Sequence, residues 1–164
     1  MPDVSRMAPD ELSHRFETGQ ISRGAFGHHD FLLVVAWLLL TEDEARATER
    51  IIAGLRRTER SGGGVEWPRC PSNTGPARRG YNETITLFWI GMARRTLPAR
   101  IARSEQAAAA RWFAARYARQ PDLVFEYYSP QRVHSLEARM RWVEPDLRPL
   151  DSAVSPGPDT FGTA

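Results

Sequence analysis

The chain has 164 residues and a mass of 18.6 kDa, a length that fits one domain with its own buried core. Its 22 basic residues are all arginines, and the absence of lysine excludes Schiff-base enzymes, pyridoxal-phosphate enzymes and the phosphate-binding lysines of P-loops and kinases. The single cysteine, Cys70, excludes disulfides within the chain and cysteine-rich metal or iron–sulfur sites.

The charges and the apolar segments argue against nucleic acid and membrane as partners. The 22 arginines and 20 acidic residues leave a net charge of +2, and they are interspersed along the chain. This mixture is typical of solvated helix faces, whereas nucleic-acid binders group their positive charge. The longest apolar run, residues 31–40, is about half a membrane span, and the first 25 residues lack the pattern of a secretory signal. We therefore expect a cytoplasmic protein.

Two helices are predicted in the first 40 residues. Residues 9–18 are amphipathic, with apolar side chains four residues apart, and Gly19 is expected to end this helix. The second helix is expected over about residues 24–40, opened by Ser22 or Gly24. Its second half is apolar on all sides, which is typical of a helix at the centre of a bundle.

The segment Thr41-Glu42-Asp43-Glu44 predicts the start of a third helix, because threonine followed three residues later by glutamate forms a capping box. This helix is expected over residues 42–60, with Ser61-Gly62-Gly63-Gly64 at its end. Its expected inward-facing residues are Ala45, Thr48, Ile51, Ile52 and Leu55.

Residues 61–79 lack any apolar periodicity and are rich in Gly, Pro, Ser and Asn. A segment of this length is unusual in a compact domain, so we interpret it as a functional lid or a mobile loop. Trp67 lies within it, and we expect its ring to dock either on the core or on a ligand.

The rest of the chain predicts further helices and a tail. They are expected at about residues 82–97, at 104–119 with Ser104 as cap, at 121–127, at a turn capped by Ser129, and at 135–142 with Ser135 as cap. Residues 151–164 have the composition of a disordered tail. No segment alternates with a period of two for long enough to require a sheet. The sequence therefore predicts one all-α domain over residues 1–150, a bundle of about five to seven helices.

Polar residues at the start of the second helix form the first candidate site. His28 lies on the helical line of Phe31 and Val35, whereas His29 points about 100° away. A histidine on such a line is commonly a hydrogen-bonded core or capping residue. Catalysis or ligand contact is the other interpretation, and both stay open for His28 and His29.

The start of the fourth helix forms the second candidate site. Asn82 suits an N-cap, and Glu83 at the first helical position is favoured by the helix dipole, so capping explains both residues. If Glu83 instead points into a dry pocket, it would be a general base, because desolvation raises the pKa of a carboxyl group by roughly 3–5 units.

Three motifs connect these sites with the end of the chain: Phe26-x-His28-x-Asp30, Tyr81-x-Glu83-Thr84-x-Thr86 and Ser135-x-x-Ala138-Arg139. Together they resemble a group of small uncharacterised bacterial helical proteins, some associated with secondary metabolism, whose usual motifs are F-x-H-x-x-H, Y-H-E-T-x-T and S-x-x-A-R. The likeness spans about residues 24–148. It implies importance for His28, Glu83, Thr86 and Arg139 but supplies no reaction.

The chain departs from that group at two positions. Phe31 replaces the second histidine of the first motif, and Asn82 replaces the histidine before Glu-Thr. Three imidazoles and a glutamate could bind a metal, but a stable zinc site takes three or four ligands, more than His28 and Glu83 supply. We therefore expect no metal and no cofactor. A metal site would need His28, His29 and Glu83 to converge.

Five tryptophans, four tyrosines and a loop that could close favour a pocket for an aromatic small molecule, although a packed core accounts for such rings equally well. The leading hypothesis is a cofactor-free and metal-free acid/base enzyme of bacterial natural-product biosynthesis. It would catalyse a condensation or cyclisation, for example of Pictet–Spengler type, or an isomerisation. Glu83 would be the base and His28 the acid or an orienting partner. The expected substrate-contacting residues are Tyr81, Asn82, Thr86, His29, Trp37, Trp89 and Arg139.

Two other functions stay open. The first is a non-catalytic protein that binds a small aromatic molecule, for example for self-resistance, because a site that has lost imidazoles can still bind. The second is a metal-dependent enzyme. The assembly is open as well, with a homodimer as the commonest case among oligomers.

Overall fold

The computed structural model describes residues 6–21, 24–61, 66–67, 78–151 and 154. Within them the all-α bundle predicted from the sequence is confirmed. Two-residue strands, β1 (Glu66–Trp67) and β2 (Arg78–Arg79), pair antiparallel, and 3₁₀ helices occupy Arg103–Glu105 and Leu123–Glu126. The seven α-helices are α1 (Pro9–Thr18), α2 (His28–Thr41), α3 (Glu44–Arg60), α4 (Glu83–Thr96), α5 (Gln106–Tyr117), α6 (Pro130–Val133) and α7 (Leu136–Met140).

Helix α2 lies at the centre of the bundle because it is apolar on all sides. Its residues 30–36 and Leu38 are buried, and α1, α3, α4 and α5 all pack against it. Full burial of each large aliphatic or aromatic side chain contributes about 1.5–3 kcal/mol. In the described part of the chain, neither this 14-residue helix nor any other is long and apolar enough to cross a membrane.

The first helix has the predicted bounds, whereas the second begins later than predicted. Gly19 ends α1 with a φ of 72°, as expected. Helix α2 begins at His28 and not near Gly24, because the carboxylate of Asp30 accepts a hydrogen bond from the N–H of Gly27 at 3.0 Å. That contact satisfies an amide at the helix start, while Gly24 has a φ of 78° that no α-helix accommodates.

Helix α3 is capped by Asp43 and not by the predicted Thr41. The carboxylate of Asp43 accepts from the N–H of Arg46 at 3.0 Å, whereas Thr41 is still the last residue of α2. The buried face also differs from the prediction, since Ala45 is exposed and Ile52 is half-buried. The buried residues of α3 are Ala47, Thr48, Ile51, Gly54 and Leu55.

The later helix boundaries agree with the prediction to within a few residues. Ser129 and Ser135 are the N-caps of α6 and α7, as predicted. Ser104 is not a cap, because a 3₁₀ turn precedes α5. Residues 123–126 form a 3₁₀ helix where an α-helix was expected, and α7 ends at Met140.

Most of the predicted lid, residues 61–79, lies outside the described residues, and Cys70 lies there too. Trp67 of β1 is described, and it is buried. Its ring meets that of Phe31 edge-on at 5.8 Å, and its Nε1–H donates to the carbonyl of Gly80 at 2.6 Å. Of the two expected outcomes for Trp67, the structure therefore shows docking on the core.

The segment that follows α7 is fixed against α4. The hydroxyl of Thr84 donates to the carbonyl of Arg141 at 2.9 Å and accepts from the N–H of Val143 at 3.2 Å. Further along, Val154 is buried, and its carbonyl oxygen would lie 2.0 Å from a Cβ at Gly91. Val154 belongs to the predicted disordered tail, and residues 155–164 of that tail lie outside the described part.

Helices α1 and α3 approach closely because Gly54 has no side chain. A Cβ at this position would lie 2.2 Å from the ring of Phe16, which is fully buried and stacked on Phe26 at 5.2 Å. The ring of Phe16 therefore has little freedom to move away.

We expect Gly54→Ala to destabilise the protein by about 1–3 kcal/mol, because overpacking outweighs the roughly 1 kcal/mol gained from the helix propensity of alanine. Urea denaturation measures this change. Adding Phe16→Leu should make the alanine less harmful than it is in the wild-type background. A more stable Gly54→Ala variant would contradict the close packing of α1 and α3.

Candidate functional site

The first candidate site lies at the beginning of α2, where aromatic rings surround an imidazole. The ring of His28 meets that of Trp89 at 5.0 Å and lies 6.5 Å from that of Phe31. Trp89 is fully buried and also contacts Tyr117 of α5 at 5.9 Å. The helical line on which His28 lies therefore faces the core, as its sequence pattern indicates.

Burial lowers the pKa of His28 from 6.5 to about 4, with a smaller lowering by His29 and an opposing contribution from the backbone of Tyr117. The imidazole is therefore neutral at pH 7 and is a poor proton donor. Nε2 of His28 and Nε1 of Trp89 are both buried and have no hydrogen-bond partner among the described residues. Such groups are uncommon in folded proteins, because desolvation costs about 1–3 kcal/mol.

The second candidate site lies at the beginning of α4, where a phenol, a carboxylate and a guanidinium meet. The hydroxyl of Tyr81 donates to Oε2 of Glu83, and a guanidinium nitrogen of Arg56 lies 3.8 Å from the same oxygen. The guanidinium carbon of Arg56 is 5.0 Å from the centre of the Tyr81 ring. Burial first, and then the bond to the negative Glu83, raise the pKa of Tyr81 well above its usual range. The phenol therefore stays protonated and holds the carboxylate in one orientation.

The sequence interpretation missed two residues of this cluster, Arg56 and Glu59. A carboxylate oxygen of Glu59 accepts from the N–H of Tyr81 at 3.0 Å, beside Gly80 with its φ of 99°. Both residues lie on the exposed side of α3. Nothing in their local sequence distinguishes them from the other Arg and Glu residues of that helix.

The polar groups of Asn82 and Thr86 are used within the fold. Asn82 is buried; its Oδ1 accepts from the N–H of Ile85 at 3.0 Å and its Nδ2 donates to the carbonyl of Val133 at 2.7 Å. The hydroxyl of Thr86 donates to the carbonyl of Asn82 at 2.8 Å. The capping interpretation of Asn82 is confirmed, and these bonds account for both residues without a ligand.

The other predicted site residues lie apart from one another. Nδ1 of His29 is 3.4 Å from Oδ1 of Asp30, and its side chain is 39% exposed. Trp37 lines a cleft between α1, α2 and α3. Arg139 is half-buried, and its Nη2 would be 3.7 Å from a Cβ at Gly80, so it lies near the second site.

The structure does not join the two candidate sites directly. In the described part of the chain, no hydrogen bond, ion pair or ring contact connects His28 with Glu83. Trp67 lies between them, since it packs on Phe31 and bonds to Gly80. The described residues also contain no group of three His, Cys, Asp or Glu side chains that could hold a metal ion.

No family model, curated protein or solved structure matches the chain. The likeness to small bacterial helical proteins therefore stays a prediction.

We expect Asn82→Ala to destabilise the protein by about 2–3 kcal/mol, because it removes a helix cap and leaves the carbonyl of Val133 without its donor. Urea denaturation measures the loss. The matched control is Asp43→Ala, which removes an exposed cap of α3 and should cost about 1 kcal/mol. Equal losses for the two variants would show that the buried bond to Val133 adds nothing.

The lowered pKa of His28 predicts a pH-dependent stability. Between pH 6.5 and 4 the unfolded chain binds a proton at His28 that the folded chain excludes. The free energy of unfolding therefore falls as the pH drops below 6.5, whereas above pH 6.5 this group does not lower it. We expect about 2 kcal/mol less stability at pH 5 than at pH 7.5 from this group.

Denaturation of wild type and His28→Phe at both pH values isolates this contribution, because carboxyl groups titrate alike in the two proteins. The difference in stability between pH 7.5 and 5 should shrink by about 2 kcal/mol in the variant. His14→Gln, which changes an exposed histidine, should leave that difference unchanged. The same pH dependence in wild type and His28→Phe would mean that His28 is protonated normally in the folded state.

Proposed function

We propose that the protein is a metal-free acid/base enzyme that acts on a small aromatic molecule, with Glu83 as the base. The observation that carries this proposal is the cluster of Tyr81, Glu83 and Arg56 at the start of α4. The side chain of Glu83 is 17% exposed, so its carboxylate is largely removed from water yet still reachable from solution.

The cluster suits a carboxylate that removes a proton. A general base must lie within hydrogen-bond reach of the proton that it takes, and a fixed orientation raises the fraction of productive encounters. The Tyr81 hydroxyl and Arg56 both lie at Oε2 of Glu83, so Oε1 has no hydrogen-bond partner among the described residues. The guanidinium of Arg56 lies over the Tyr81 ring, and this contact keeps both side chains together.

The neutral state of His28 narrows the reaction class. Because its pKa is lowered to about 4, His28 is suited to accepting a hydrogen bond and not to donating a proton at pH 7. His28 also has no described contact with Glu83, so this supports reactions in which Glu83 is the base and, once protonated, the acid. One is an isomerisation, in which Glu83 removes a proton from one carbon and returns it to another.

A Pictet–Spengler-type ring closure also fits this class. The amine and the aldehyde lose water in solution to give an imine, which takes a proton from the solvent to become an iminium ion, and an aromatic carbon then attacks it to form the new C–C bond. Glu83 would take the ring proton that leaves as aromaticity is restored, and would then release it to water. The half-buried ring of Tyr81 offers a face for a planar substrate.

A non-catalytic binding protein is the second candidate, and one observation favours it. The unpartnered nitrogens of His28 and Trp89 are suited to a ligand that supplies hydrogen-bond partners, and neither group needs to transfer a proton. In this case ligands would bind without turnover.

Mixing the purified full chain with tryptamine and benzaldehyde, followed by chromatography and mass spectrometry of the products, tests catalysis. We expect Glu83→Gln to lower kcat by about 100-fold or more, with KM changed by less than threefold, because the amide cannot accept the proton. Tyr81→Phe should lower kcat by about 10-fold, because the carboxylate loses its orienting donor. Glu49→Gln, a change of an exposed residue of α3, is the matched control and should retain full activity.

Metal analysis and tryptophan fluorescence titration of the same sample separate the remaining functions. A stoichiometric metal, or full activity of Glu83→Gln, would contradict the proposed mechanism. Saturable quenching by tryptamine without product from any amine and aldehyde pair would favour the binding protein.

A further inference from the structure

A cleft of about 140 Å³ lies between α1, α2 and α3, away from the cluster around Glu83. We call it the α1–α3 cleft. Three carboxylates line it, from Asp10 and Glu17 of α1 and from Glu42 at the end of α2. Arg50 of α3 lines it as well, so the charge that the cleft presents to a ligand depends on which carboxylates pair with this guanidinium.

The guanidinium of Arg50 is shared by two of the three carboxylates. Its Nε and Nη2 donate to Glu17 at 2.9 and 2.7 Å, and its Nη1 donates to Glu42 at 2.5 Å. The paired hydrogen bonds with Glu17 raise the pKa of Arg50 further, so it keeps its charge. Asp10 has no hydrogen-bond or ion-pair partner among the described side chains. A guanidinium nitrogen of Arg46 also lies 3.5 Å from Glu42, so two arginines pair with Glu17 and Glu42, and the remaining negative charge of the cleft is that of Asp10.

The buried part of the lining contains a hydroxyl that has no hydrogen-bond partner among the described residues. Ser13 is 3% exposed, and its Oγ is buried without a hydrogen-bond partner in the described residues. A serine in a helix usually bonds to the carbonyl one turn earlier, which satisfies its hydroxyl. In the α1–α3 cleft this hydroxyl is left to interact with whatever enters. Because a hydroxyl both donates and accepts, an N–H or O–H group of a ligand can bond to its oxygen while its own O–H turns to a carboxylate of the lining.

Trp37 forms an aromatic part of the same lining. The face of an indole attracts a cation, and the attraction strengthens when the cation is partly desolvated. The cleft thus combines carboxylates, a hydroxyl, the imidazole of His14 and an aromatic face, and each nitrogen of Arg50 already donates to a carboxylate. Its acidic residues are not among any described group of three that could hold a metal ion.

We propose that the α1–α3 cleft binds a primary organic ammonium ion. The ammonium group donates hydrogen bonds to Asp10 and to Ser13, and the adjoining carbon chain packs against Trp37. An ammonium ion matches this lining because it has three donors and no acceptor. An anion is repelled by the carboxylates, and a quaternary ammonium ion cannot donate to the hydroxyl.

Titration of the ¹⁵N-labelled full chain with n-butylammonium chloride at low ionic strength tests this site. We expect the indole N–H resonance of Trp37, assigned with Trp37→Phe, to shift with saturation while the other indole resonances stay in place. Asp10→Asn should weaken the binding at least fivefold, and Ser13→Ala at least threefold. Glu11→Gln is the matched control, since it removes the same charge from the same turn of α1 but lies outside the cleft, and it should change the affinity less than twofold.

Tetramethylammonium chloride distinguishes hydrogen bonding from charge alone. We expect it to bind at least fivefold more weakly than n-butylammonium, because it has no N–H group. No saturable shift of Trp37 up to 10 mM n-butylammonium would overturn the proposal. Equal weakening by Asp10→Asn and Glu11→Gln, or equal binding of both cations, would overturn it too, because the attraction would then be non-specific.

Discussion

The structure depends on the burial of α2. A helix that is apolar on every side is stable only if other elements cover all of its faces, and α1, α3, α4 and α5 do so. This requirement determines where the polar residues at its start can go. Asp30 turns back to the amide of Gly27, and His28 is drawn into the core against Trp89. The neutral state of that histidine is thus a consequence of the packing that holds the bundle together.

A polar side chain near the start of a helix either caps a backbone amide or contacts other side chains in a candidate site. Asn82 and Ser135 use their side chains on backbone amides, so their polar groups are taken up by the fold. Glu83 occupies the first position of α4, where a carboxylate is favoured by the helix dipole, but its partners are Tyr81 and Arg56. That difference in partners is the reason why Glu83, and not its neighbour, is the candidate base.

The exclusive use of arginine has a structural consequence in the α1–α3 cleft and in the second candidate site. A guanidinium is planar and can bond to one carboxylate with two parallel hydrogen bonds while it reaches a second acceptor. Arg50 does this between Glu17 and Glu42, and Arg56 contacts a carboxylate while it lies over an aromatic ring. Lysine, with a single charged nitrogen, could not make the same combination of contacts.

The sequence by itself determined the all-α class, most of the helices and the caps at Asn82, Ser129 and Ser135, because periodicity and capping are local properties of the chain. The central position of α2 followed in the same way from its composition. The cap of α3 is local as well, but the sequence interpretation assigned it to Thr41, whereas the carboxylate of Asp43 accepts from the N–H of Arg46.

Contacts between distant segments could not be predicted, because periodicity and capping describe only residues that are close in the chain. The docking of Trp67, the burial of Val154 and the approach of Arg56 and Glu59 to Tyr81 each join residues far apart in the chain. A periodic pattern reports which face of a helix is apolar, but it carries no information about which remote side chain that face or its edge will meet. Only part of the second candidate site could therefore be predicted. Tyr81 and Glu83 were predicted from the sequence, whereas their partners on α3 were identified only from the tertiary structure.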